Sequence, residues 1–156
     1  WDDLIPPDWM PEKQLEALFD SLKIDALDDQ DPRAMEAMAK IREAWDNAPV
    51  VERLDGQRIR IPGFVVPLDG GRKEIDSFLL VPYFGACIHV PPPPLNQLIH
   101  VMPDTPIASN LNMMPVWVSG VLTVARFDSA LGNAGYQLRG MKVEAYEPPP
   151  AGANKP

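Results

Sequence analysis

Residue types able to do chemistry are scarce in this chain, and they are gathered in one stretch. The single cysteine and one of the two histidines lie in Pro82-Tyr83-Phe84-Gly85-Ala86-Cys87-Ile88-His89-Val90. Four prolines follow, Pro91, Pro92, Pro93 and Pro94, then Leu95-Asn96-Gln97. In an extended segment, neighbouring side chains point to opposite faces. Cys87 and His89 then share one face and Ile88 takes the other. A thiol beside an imidazole is either the start of a metal site or an activated nucleophile.

For a metal, zinc or copper suits this pair, since both accept thiolate and imidazole. Two ligands do not complete a site, and His100 is the candidate third ligand. Asp69 is a harder option. For a nucleophile, His89 would lower the thiol pKa, and the protein would be a thiol-dependent enzyme using Cys87 and His89. Residue types alone also allow a plain reading, in which an inert buried cysteine and a satisfied histidine hold the loop to the body. A further reading without metal treats the prolines as a stiff, solvent-facing rod presented to a protein partner. Exposed Tyr83 or Phe84 would assist docking, and Asn96 and Gln97 would supply amide donors and acceptors. The binding residues expected are therefore Cys87, His89, Pro91, Pro92, Pro93, Pro94, Asn96 and Gln97, with no catalytic residue assigned.

The scaffold that must position this stretch has 156 residues, 46% hydrophobic and 23% charged, and ordinary globular composition. The 19 prolines favour fixed turns over long helices. A net charge of −8 disfavours nucleic acid as a partner, because phosphate is repelled. One cysteine excludes an internal disulfide. No run approaches the roughly eighteen apolar residues of a membrane helix.

Trp1 and Trp9 flank Pro6-Pro7 and should clamp an N-terminal arm to the body. Leu15, Leu18, Phe19 and Leu22 recur at helical spacing after Pro11. Asp31-Pro32 reads as the cap and first residue of a second helix. Its stripe of Met35, Met38, Ile41 and Trp45 should pack into the core. From Val50 the period shortens to that of strands. Five are expected, over 57–67, 75–83, 97–101, 116–125 and 136–146. Gly63, Gly120 and Gly140 interrupt three of them, and Gly63 looks like a bulge. Asp69-Gly70-Gly71 is a turn, and Asp128, Asn133 and Gly135 look like turn chemistry as well. Met113, Met114 and Trp117 read as core. Kinked, coiled strands close small barrels, so the fold class is mainly β with N-terminal helices. The architecture expected is an OB-like five-stranded barrel flanked by two helices. Residues 1–49 form the arm and helical pair, 50–147 the barrel and 148–156 a disordered tail. The Cys87 stretch then joins the second and third barrel strands.

The run from Val81 to Pro94, with Asn96-Gln97 behind it, resembles the hallmark of a bacterial exported family, the domain of unknown function DUF3299. Trp1-Asp2-Asp3-Leu4-Ile5-Pro6 and Ile61-Pro62-Gly63-Phe64-Val65-Val66-Pro67-Leu68 resemble it too. The resemblance covers nearly the whole chain. It implies a cleaved leader and a periplasmic or lipid-anchored location, in keeping with a chain opening on Trp1. It also implies association with an ABC-type permease complex in the membrane, in some members linked to metal limitation. It carries no activity. The hallmark positions it transfers are Cys87, His89, Asn96 and Gln97. The expectation is therefore a non-enzymatic periplasmic accessory or binding protein, metal-binding through Cys87 and His89.

Overall fold

The computed structural model describes residues 1–11, 13, 16–17, 20, 31–69, 73–87 and 92–147. The expected first-helix stripe of Leu15, Leu18, Phe19 and Leu22 lies outside them. So do Gly70 and Gly71 of the expected turn, Ile88 to Pro91, and the tail from Pro148.

Helix α1 spans Pro32–Asp46 and begins as its sequence dictates. The Asp31 carboxylate accepts from the Arg33 amide at 2.9 Å, and Pro32 occupies a first-turn position where no donor is needed. The seat of the helix differs from expectation. Only Ala37 and Ile41 are buried, whereas Met35 and Met38 are exposed. Ala37 and Ile41 lie one turn apart, so the helix touches the body along a narrow line and leaves its methionines outside.

The strands are β1 (Arg58–Pro67), β2 (Glu74–Ile75), β3 (Phe78–Val81), β4 (Ile99–Pro103), β5 (Ile107–Ala108), β6 (Pro115–Ser129) and β7 (Gly132–Ala145). Five of them close in a ring, in the order β1-β3-β4-β7-β6. Neighbours run antiparallel except β4 and β7, which run parallel from Ile99 beside Tyr136 to Pro103 beside Gly140. Counting the ring strands alone, the order is first, second, third, fifth, fourth, in a mainly β fold with five strands closed on themselves, consistent with the expected small barrel. The short strands β2 and β5 pair separately, so Ile75 belongs to this side sheet and not to the second barrel strand.

Closure depends on Gly120 and Gly140, which face each other across β6 and β7 where the register slips by one residue. A Cβ on Gly120 would collide with the carbonyl of Arg139. This is where the strand bends. Gly63 is not a bulge. Its pairings with β6 and those of its neighbours run without a break, and it is small because β3 crosses close by at Leu80 and Val81. A second slip lies between Val124 and Phe127. Beyond it the hairpin continues, pairing Asp128 with Asn133 and Ser129 with Gly132. The turn is therefore at Ala130-Leu131, and Asp128, Asn133 and Gly135 are strand residues.

The barrel interior holds Ile61, Val65, Phe78, Leu80, Ile99, Val101, Val118, Leu122, Tyr136 and Leu138. The N-terminal arm joins this cluster through Leu4 and Trp1. The Trp1 indole donates to the Pro62 carbonyl at 2.6 Å, so Trp1 is the clamp expected of it. A second cluster forms outside the ring, from Val66, Leu79, Val81, Ala86, Leu98 and Ala134. All four residues of β3 are thereby buried, alternately inward and outward. The segment after β3 covers the outward pair. Trp117 is not core. It lies half-buried on the outer face beneath Arg60, 4.3 Å from its ring centre, and Met114 is exposed.

Candidate functional site

After β3 the chain does not stay extended. Gly85 and Cys87 both have left-handed backbone, with φ of 82° and 69°. Such a conformation is unfavourable for a residue bearing a Cβ, by roughly 1 kcal/mol or more. Alternation of faces therefore does not carry through Cys87. His89, the other half of the expected pair, lies outside the described residues, as does Pro91.

Cys87 packs against the outer cluster, beside Ala86, Leu98 and Leu131. A Cβ built on Gly132 would lie 3.7 Å from its sulfur, 3.2 Å from Pro92 and 2.9 Å from Leu98. The absence of a side chain there lets the hairpin tip close on the loop. Between this tip, the loop and α1 is a hollow of about 570 Å³. Its walls include Met38, Ile41 and Trp45 from the helix, Pro92 and Pro93 from the loop, and Leu131 from the tip. Cys87 forms part of the same wall, with Arg42 and Asp46 as its charged members. Hollows of this size with mainly apolar walls and few polar groups suit small ligands.

Burial pushes the Cys87 thiol up to about 11. At neutral pH the sulfur is protonated and a poor nucleophile. Burial, and secondarily Cys87, also raise the Tyr83 phenol. Tyr83 and Phe84 are exposed, as expected, and Phe84 stands edge-on to Phe64 at 5.9 Å.

The described prolines, Pro92, Pro93 and Pro94, are not held out to solvent. Pro93 is buried, and Pro92 and Pro94 are half-buried against the body. The hairpin tip approaches Pro92 at Gly132. Asn96 is fully buried and donates to the Pro49 carbonyl at 2.9 Å. Gln97 donates to the Trp1 carbonyl at 3.2 Å. Gln97 ties the loop to the N-terminal arm and Asn96 ties it to the link between α1 and β1, and neither amide presents anything outward through those bonds. His100 points into the outer cluster, stacked on Phe127 with ring centres 3.6 Å apart and planes 12° apart. It does not line the hollow beside Cys87. Among the described residues, no three of His, Cys, Asp or Glu come together as a metal site would need.

Residue types singled out Cys87 and the prolines but missed the other walls. Met38, Trp45 and Leu131 come from elements distant in sequence. One signal was available, because an apolar Leu131 at a hairpin turn needs something to cover it.

The chain matches the family model described as a protein of unknown function (DUF3299) over residues 1–145. It is similar to a solved structure, a DUF3299 family protein from Pseudomonas aeruginosa. Identity is 35%, the match covers 96% of this chain and 95% of that one, and the TM-score is 0.72. No curated protein matches it.

Proposed function

The chain belongs to the DUF3299 family, whose description gives no function, and we propose that it is a non-enzymatic binding module whose ligand enters the hollow beside Cys87. The observation carrying this reading is the hollow itself. It combines the helix, the loop of the hallmark run and the hairpin tip, and its walls are mainly apolar. A protonated thiol adds soft apolar surface there without nucleophilic power. Exposed Tyr83 and Phe84 on the same loop give a partner a place to engage from outside. A periplasmic setting beside an ABC-type permease belongs to this reading and rests on the family resemblance. Recovery of the protein from the cytoplasmic fraction of its native cells would remove that part.

The hollow is tested with an apolar reporter, anilinonaphthalene sulfonate, titrated against the whole protein. Saturable binding at one site is expected. Met38→Asp and Leu131→Asp should each weaken it at least about tenfold, the equivalent of about 1.4 kcal/mol. No saturable binding, or binding unchanged in both variants, overturns the proposal.

A further inference from the structure

His100 is the one histidine among the described residues, and it sits where a charge is unwelcome. It is 6% exposed, and its Nδ1 is buried without a hydrogen-bond partner. Its Nε2 lies 3.4 Å from Ser77 Oγ, a long contact. One face of the ring is stacked on Phe127. Phe127 belongs to the outer cluster, with Cys87, Leu131 and Ala134. The neutral imidazole thus joins β4 to the hairpin whose tip walls the hollow.

The groups that could compensate a charge are few. Across β3 it faces Leu79, and across β7 it faces Gln137. On β6, Arg126 and Asp128 flank Phe127 but bond each other at 2.7 Å. On β7, Arg139 is held by Asp104 at 2.8 Å. Asp76 adjoins Ser77 and is exposed. Asp69 follows Leu68, whose amide bonds the Ser77 carbonyl, and one oxygen of its carboxylate is buried without a partner. None of these carboxylates makes a hydrogen bond or ion pair with the ring.

We propose that His100 is an acid-released latch: a charge on its buried ring costs more than its attraction to the Phe127 face offsets, so the protonated ring leaves the stack and the β6–β7 hairpin tip loosens from the barrel. The tip is held there by apolar contact, the stack and the Arg126 guanidinium, which donates to the Asp46 carbonyl of α1 at 2.8 Å, while β6 and β7 remain paired below the slip at Val124. Opening is therefore confined to the tip and reshapes the hollow. The latch stands whatever the hollow binds.

The direction follows from burial. Burial holds the His100 pKa below its ordinary 6.5, and Gln137 offsets part of that effect. The closed state binds fewer protons than the open one. Its stability is complete above 6.5 and is lost as pH falls from there toward the lower folded-state value.

Hydrogen exchange, corrected for the intrinsic rate at each pH, tests this on the whole protein near pH 7 and near pH 5. Amides of residues 126–134 should lose protection at the lower pH while those of β1 and β3 keep theirs. The loss should approach about tenfold for each unit by which burial lowers the pKa. His100→Gln, a neutral replacement, should show no such pH dependence. Equal pH dependence in both proteins, or loss spread over the whole barrel, overturns the latch. Should the variant not fold, the His100 ring resonance of the unaltered protein decides. Titration below 6.5 in step with exchange at the tip supports the latch, and titration at or above 6.5 overturns it.

Discussion

The Tyr136 hydroxyl donates to the Leu4 carbonyl at 2.8 Å across 132 positions of sequence. The same oxygen accepts from the Val51 amide at 2.7 Å. One side chain, rooted inside the barrel, thereby fastens both the N-terminal arm and the segment entering β1. Tyr136→Phe leaves the ring in place and strips a partner from two backbone groups. A loss of about 1–3 kcal/mol is expected, because buried polar groups without partners cost that much. Urea unfolding should show a lower midpoint with an unchanged slope.

Gly120 faces the Arg139 carbonyl with no room for a methyl group. Gly120→Ala must push two paired strands apart at the point where the ring bends. The cost should be about 3 kcal/mol or more, in the range of severe overpacking. Circular dichroism melts check this. A melting temperature within a degree or two of the unaltered protein contradicts the account of closure.

Cys87 should react slowly. With its thiol raised to about 11, the thiolate fraction at neutral pH falls about a hundredfold or more below that of a free cysteine. Alkylation by iodoacetamide should be correspondingly slow in the folded protein and fast after unfolding. Rapid labelling of the folded protein at neutral pH would restore the thiol-enzyme reading.

Among the described residues, no three of His, Cys, Asp or Glu gather as a zinc site needs. Calorimetric titration with zinc should give the same heats for the unaltered protein and for Cys87→Ser. A tight binding heat that vanishes in Cys87→Ser, and again in His89→Ala, would instead make the pair a metal site.

Much of the fold is legible in the residues because its causes are local. The alternation of Ile59, Ile61 and Val65 marks β1, and glycines at 120 and 140 mark the bend that closes the ring. Asp31 and Pro32 mark the start of α1. What the pattern cannot reveal depends on partners far away. The methionines of α1 have the spacing of core residues, yet nothing in that spacing says how deeply the helix is seated. Ile75 is apolar and near a strand, and only its pairing with Ile107 assigns it to the side sheet. The site follows the same division. Cys87 stands out by type, but its left-handed turn contradicts what a residue with a Cβ prefers. The burial of Asn96 likewise goes with a partner far away in sequence, the Pro49 carbonyl.

The parallel seam between β4 and β7 sets the order in which the molecule can be built. A chain emerging from the ribosome can pair β1 with β3 and β3 with β4 early. The cylinder stays split until β7 arrives, and Tyr136, the anchor for the arm, arrives with it. The N-terminal arm, although it precedes the ring strands in sequence, is thus among the last elements to find its place. Until then the unzipped edges of β4 and β6 are available to other chains.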